Sequence, residues 1–136
     1  MKLLVANWKM APDTALQALE LTKKTLAIAR QNKKHITTVV CPPFVHLQTV
    51  AKIAKTISVG AQNVAPTTTV ASTGLVSAGM LKASGATYCI VGHSESRARG
   101  ETNESVKYQL DRLLEKKLIP ILCVGEQDRD PHGWYL

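Results

Sequence analysis

The sequence predicts an α/β fold built on a parallel sheet, and three observations carry that prediction. Short apolar runs start near residues 2, 36, 57, 87 and 119. Stretches with helical apolar spacing lie between them. Polar and ionisable side chains follow the runs at their C-terminal ends. Strands that alternate with helices at this spacing pair in parallel through crossover connections. A parallel sheet puts every strand's C-terminal end on one side, so those polar loops converge.

Taken in order, Leu3-Leu4-Val5-Ala6 is continuously apolar, as in a strand covered on both faces, and the strand reads from Lys2 to Trp8. Asn7, Trp8 and Lys9 stand at its end. Pro12-Asp13-Thr14 opens a helix, with Asp13 suited to the positive end of the dipole. Ala15, Leu19, Thr22, Leu26 and Ala29 form its apolar face, and it runs to about Arg30. Ile36 to Cys41 is the second strand, stopped by Pro42-Pro43. Phe44 to Lys55 is a second helix, with Val50, Ile53 and Ala54 inward. Ile57 to Ala61 is a third strand that delivers Gln62 and Asn63. A Thr-rich loop, Val64 to Gly74, follows, and a loop of this length is often functional or interfacial. Ser77 caps a short helix that Gly85 ends. Tyr88-Cys89-Ile90-Val91 is a buried strand, and Gly92 breaks it just before His93, Ser94, Glu95, Ser96 and Arg97. Thr102 or Asn103 caps the next helix, whose apolar face is Val106, Leu110, Leu113 and Leu114. Ile119 to Val124 is the fifth strand, and Gln127 to Leu136 is a polar tail. There is no internal repeat beyond the alternation itself.

The 136 residues make one domain, 1–136, with 45% hydrophobic and 20% charged residues, as in an ordinary globular protein. No apolar run approaches the roughly 20 residues that cross a bilayer. The N-terminal apolar segment is too short for a signal peptide, so a cytoplasmic location is expected. Cys41, Cys89 and Cys123 lack metal-site spacing and read as small buried hydrophobes, with no metal site or disulfide framework. The net charge of +7 suits an anionic substrate or nucleic acid. Its lysines, however, gather toward helix ends, where cations complement the dipole, and no aromatic-interleaved basic patch accompanies them. A solvated face is therefore expected, with no nucleic-acid and no membrane partner.

The loops bring together an ammonium, an imidazole and carboxylates. Lys9 is a fixed positive charge suited to a phosphate or an enolate. His93 can donate to a carbonyl or shuttle a proton, and a helix N-terminus there would keep it neutral. Its simpler reading is one structural hydrogen bond after a strand. Glu95 reads equally as a base or as an ion-pair partner of Lys9, and Asn7 and Asn63 as orienting groups. No second histidine is placed to accept from Ser94, which excludes a serine triad, and no Walker or dinucleotide phosphate loop is present.

Six motifs then stand in a familiar order and spacing: Asn7-Trp8-Lys9-Met10, Cys41-Pro42-Pro43, Gly60-Ala61-Gln62-Asn63, Ser77 with Met80-Leu81, Gly92-His93-Ser94-Glu95 and Cys123-Val124-Gly125-Glu126. Together they make the chain resemble the triosephosphate isomerase family over nearly its whole length. The resemblance implies the first part of a (β/α)₈ barrel, here about five parallel strands with four crossover helices, and a site at the C-terminal strand ends. It implies a catalytic set of Lys9, which binds phosphate and steadies an enediolate, the supporting Asn7, and His93 as the neutral electrophile known for this family. Ser94 and Glu95 are near neighbours of that set, and Thr73 is the residue the long loop offers to a partner subunit. No cofactor is implied.

A complete barrel of this kind takes about 250 residues. The chain matches the family through the fifth strand, and the catalytic Glu, the lid and the Gly-rich phosphate loop belong to the other half. Leu75 stands where the resemblance leads one to expect Glu, and Ser96 where it leads one to expect Arg, the two sides of an ion pair across the family's dimer interface. Three functions are expected to compete. One is a split or truncated isomerase that interconverts dihydroxyacetone phosphate and glyceraldehyde 3-phosphate only with a complementing chain. Another is a non-catalytic, self-associating half-barrel. The third is an autonomous isomerase with Glu95, Glu101 or Glu126 as substitute base. Five strands that do not close leave two edges and an uncovered inner face, so a homodimer or a second chain is the expected partner.

Overall fold

Each of the five apolar runs is a strand in the computed structural model, which describes residues 2–125. The elements are β1 (Lys2–Asn7), α1 (Ala15–Asn32), β2 (Ile36–Cys41), α2 (Phe44–Ile53), β3 (Ser58–Ala61), α3 (Ala78–Ala83), β4 (Tyr88–Val91), α4 (Ser94–Ala98), α5 (Asn103–Glu115) and β5 (Ile119–Leu122). The strands form one parallel sheet in sequence order, β1-β2-β3-β4-β5. Most boundaries differ from the sequence reading by a residue or two. The one element not anticipated is α4, so five helices stand where four were expected. Glu126 and the tail Gln127 to Leu136 lie outside the described residues.

Local chemistry starts and stops the helices where the sequence signals it. Thr14 caps α1 by accepting from the Gln17 N–H, while the Gln17 side chain accepts from the Thr14 N–H, a reciprocal capping box. Thr102 and Ser105 do the same for α5. Ser77 accepts from Met80 N–H at the start of α3. Each such cap contributes about 1 kcal/mol by satisfying donors that the first turn leaves free.

The sheet has two packed faces. Outward, Val40, Val59, Ala61, Cys89 and Val91 meet Leu26 of α1, Leu47 and Val50 of α2, Leu81 of α3 and Leu113 of α5. Inward, Val39, Cys41 and Ile90 are buried, with Val5, Tyr88, Ile121 and Cys123 packed around them. Gly60 permits that inner layer, since a Cβ there would lie 2.6 Å from the Cys41 sulfur. The inner face is thus not the open patch expected. The sheet curls far enough for its middle strands to bury one another's side chains, and the exposed apolar surface is moved to the edges. Leu3 and Leu4 on β1, and Ile119 and Leu122 on β5, remain about half exposed.

Two helix faces also differ from expectation. Ala15 is exposed, and Ala18 takes its place in the core with Thr22, Leu26 and Ala29. Leu114 is exposed, whereas Gln109 is buried between Val106 and Leu113. The position goes to an amide because three acceptors meet there: Gln109 Nε2 lies within 3.0 Å of Asn63 Oδ1, Val64 O and Glu101 Oε1. A buried polar loop needs donors, and a leucine could supply none.

Candidate active site

The site begins with a conformation that a lysine rarely adopts. Lys9, two residues past β1, has φ of 54°, in the left-handed region. Two side chains hold it there. Asn7 Oδ1 accepts from the Lys9 N–H at 2.9 Å, and Gln62 Nε2 donates to the Lys9 carbonyl at 2.8 Å. Gln62 also donates to the Cys41 carbonyl at 2.9 Å, so one amide ties the loops after β1, β2 and β3 together. Left-handed backbone at a non-glycine residue costs about 1–3 kcal/mol and persists where its surroundings enforce it. The effect is to aim the ammonium across the sheet.

That ammonium meets Glu95, which β4 and α4 deliver from 86 residues away: Lys9 Nζ lies 2.6 Å from Glu95 Oε1. Strands β2 and β3 lie between the two in the sheet, and only its curl brings their ends within reach. The Lys9 hydrogen bond holds the Glu95 carboxyl below its ordinary range, with the Lys9 and Arg99 charges acting in the same direction. Both side chains are about half exposed, so the pair is open to solvent.

His93 caps α4. Its Nδ1 accepts from the Glu95 N–H at 3.2 Å. A ring nitrogen that accepts carries no proton, so the neutral ring presents Nε2–H as its donor. The Glu95 carboxylate lies 3.9 Å from the same Nδ1. The loop itself is pinned by Arg97, which donates from Nε to the Gly92 carbonyl at 2.9 Å and from Nη1 to Asn103 Oδ1 at 2.7 Å. Gly92, with φ of 69°, is required at that bend: a Cβ would lie 3.0 Å from Arg97 Nη2 and 3.2 Å from the Cys123 carbonyl. A cavity of about 610 Å³ opens beside His93, lined also by Ser94, Arg97, Cys123 and Gly125.

The structure therefore brings Asn7, Lys9, His93 and Glu95 together and sets the exposed Ser94 beside them on α4. Thr73 is exposed in the loop that follows β3. Asn63 does not serve the site. It accepts from Val64 N–H and Gln109 and reaches Glu101, which organises the base of the long loop against α5. Glu101 belongs to that same cluster. Among the described residues no group of His, Cys, Asp or Glu is placed to hold a metal ion. Gln62 was legible only as a polar residue after a strand, because its work is done on backbone carbonyls distant in sequence. His46 gave less signal still. It is buried on α2, and its Nε2 lies 2.9 Å from the Pro12 carbonyl.

Known proteins match this arrangement along the chain. The family profile described as triosephosphate isomerase matches residues 2–132. Similar curated relatives are the triosephosphate isomerases of Bacteroides fragilis, 39% identical over 127 residues, and Methylococcus capsulatus, 42% identical over 127 residues. Each alignment covers 91% of this chain and 50% of the relative. The Francisella philomiragia triosephosphate isomerase is 34% identical over 134 residues, 97% of this chain and 52% of the relative. In three dimensions the crystal structure of triosephosphate isomerase from Bartonella henselae superposes with a TM-score of 0.80 at 30% identity, covering 92% of this chain and 52% of that one. The chain spans about half the length of the curated relatives it matches. Its five curled parallel strands are a half-barrel of that architecture, and the chain belongs to the triosephosphate isomerase family.

Proposed function

We propose that this chain supplies one half of a triose phosphate isomerisation site and is inactive by itself. The observation that supports the reading is the Lys9 ammonium, held in a strained backbone and aimed across the sheet to Glu95, in the same loop as a His93 whose free donor is Nε2–H. Lys9 would neutralise the phosphate and the enediolate, with Asn7 holding its backbone. His93 would donate to the substrate carbonyl. Interconversion of dihydroxyacetone phosphate and glyceraldehyde 3-phosphate also needs a base at the substrate carbon. Glu95 is engaged by Lys9, and Glu101 is engaged by Asn63 and Gln109. The third candidate, Glu126, lies outside the described residues, and in this reading the base comes from a complementing chain that carries the other strands, the catalytic Glu and the phosphate loop. The reaction is a proton transfer and calls for no cofactor. It belongs to glycolysis and gluconeogenesis in the cytoplasm. Thr73 would meet a partner subunit.

The test is a coupled isomerase assay on the pure chain, with and without the second half of the Bacteroides fragilis relative, beside Lys9→Ala. Turnover is expected only in the mixture, and it is expected to vanish with Lys9→Ala. Turnover by the chain alone would replace this reading with an autonomous enzyme. A mixture that forms a complex yet stays silent would favour a non-catalytic assembly domain. The exposed apolar side chains on both edge strands are the observation behind that second reading.

A further inference from the structure

The positive charge of the chain gathers at one end of the sheet. Parallel strands all start on one side, and the crossover helices end on that same side. The turn into β2 carries Lys33 and Lys34, and the turn into β5 carries Lys116 and Lys117. Lys52 ends α2, Lys55 follows it before β3, and all of these side chains are exposed. Lys82 stands in the last turn of α3. Glu115 is the one carboxylate in the last turn of these helices, and Arg112 takes it at 2.8 Å. None of the lysines at this end makes an ion pair with a described residue. Asp13, Glu95, Glu101 and Glu104 lie at the opposite end, with the candidate site.

Helix dipoles account for part of this pattern. A cation suits the last turn of a helix, and the effect fades beyond it. Lys34, Lys55 and Lys117 lie outside the helices. Lys117 is also strained. Its φ is 55°, at the position after α5 where a left-handed residue closes the helix and glycine fits best. Gly85 fills the equivalent position after α3. The Leu118 N–H then donates to the Leu113 carbonyl at 2.9 Å, as the Ala86 N–H donates to that of Leu81 at 3.0 Å. Lys82 closes in beside this turn and donates from Nζ to the Lys116 and Lys117 carbonyls at 2.9 and 3.4 Å. A Cβ on Gly79 of α3 would lie 3.9 Å from Lys116 Cε, so that side chain also lies against α3. Three cationic residues are drawn together with no carboxylate paired to them.

We propose that this end of the sheet docks on an anionic lipid surface. The cations are spread over the ends of neighbouring strands and helices, so they face one plane rather than a groove. The cavities of about 610, 540 and 360 Å³ lie elsewhere. A planar array of lysines suits a planar polyanion, and each cation at such a surface is worth about fivefold in partitioning. A nucleic acid would call for a groove, or for aromatic side chains on which its bases stack. Tyr88, the aromatic residue that opens β4 at this end, packs into the inner face of the sheet instead. Docked in this way, the chain holds the Lys9 and His93 loops away from the bilayer and open to solution.

Co-sedimentation of the pure chain with vesicles tests this, using phosphatidylcholine alone and phosphatidylcholine with about 30% phosphatidylserine. The chain should bind only the second kind, and release it at about 0.5 M salt, where surface charges are screened. Lys34→Glu with Lys55→Glu should weaken the partitioning at least about tenfold. Lys23→Glu with Lys24→Glu makes the same change in net charge in the middle of α1, roughly 12 Å along the helix from its end, and should stay within about twofold. Equal weakening in the two variants means attraction to net charge alone and overturns the proposal. So does a failure to bind the anionic vesicles, or equal binding to phosphatidylcholine, which is apolar adhesion. Tighter binding to a single-stranded oligonucleotide than to the anionic vesicles overturns it as well. Isomerase activity enters none of these readouts, so this proposal and the functional reading fail separately.

Discussion

At the scale of single residues, Lys9 pays for its direction in backbone strain, and the side chains that enforce it should be costly to remove. Gln62→Leu leaves two carbonyls without donors and the left-handed loop without its clamp. A loss of about 1–3 kcal/mol in urea unfolding is expected. The Lys9–Glu95 pair makes a prediction in pH. Glu95 titrates below an unfolded glutamate because the Lys9 hydrogen bond favours its ionised form. The stabilisation it contributes is therefore present above the unfolded value, near 4.3, and is lost as pH falls through the lower, folded one. A carboxyl NMR titration should place its midpoint below that of free glutamate, and Lys9→Ala should move it upward. Thiol reactivity should also follow burial. Desolvation pushes Cys41 up to about 12 and Cys89 further, whereas Cys123 is raised but half-buried. A thiol reagent at neutral pH should label Cys123 first and leave the other two until the chain unfolds.

At the scale of elements, the loop from β4 into α4 is a single mechanical unit. Gly92 makes the bend, Arg97 closes it, and His93 caps the helix with the nitrogen that fixes its tautomer. Gly92→Ala should cost about 1–2 kcal/mol from its positive φ and displace Arg97 as well, observable as a lower Tm and a shifted His93 ring resonance. The alternation of strands and helices, the caps at Ser77 and Thr102, and the residues after β1 and β4 were legible in the sequence, because each rests on local spacing or a local hydrogen bond. Gln109, His46 and Gln62 were not. Each is placed by a carbonyl or amide that the fold brings from elsewhere, and such a demand leaves no periodic trace. The short α4 hid for another reason: five residues carry too little pattern to separate a helix from a turn.

At the scale of the whole molecule, the outer core holds the sheet to its helices, and Leu113 lies fully inside it. Leu113→Ala should cost about 2–5 kcal/mol, as does a leucine cavity that cannot collapse. The inner face was expected to lie open, and that expectation failed on curvature. Binary pattern shows which residues are apolar, but not how tightly a sheet rolls. Val39, Cys41 and Ile90 close on one another because Gly60 leaves them room.

The reach from Lys9 to Glu95 also sets an order of events during synthesis. The two groups stand 86 residues apart, and no shorter path in the chain connects them. A nascent chain that has released β1, β2 and β3 from the ribosome already contains the lysine, the strained loop and the Gln62 clamp, yet it has no counter-charge for the ammonium. The site comes into being only when β4 joins the sheet. Translation paused before residue 88 would yield a chain with three of the described strands and only the cationic half of its electrostatic centre.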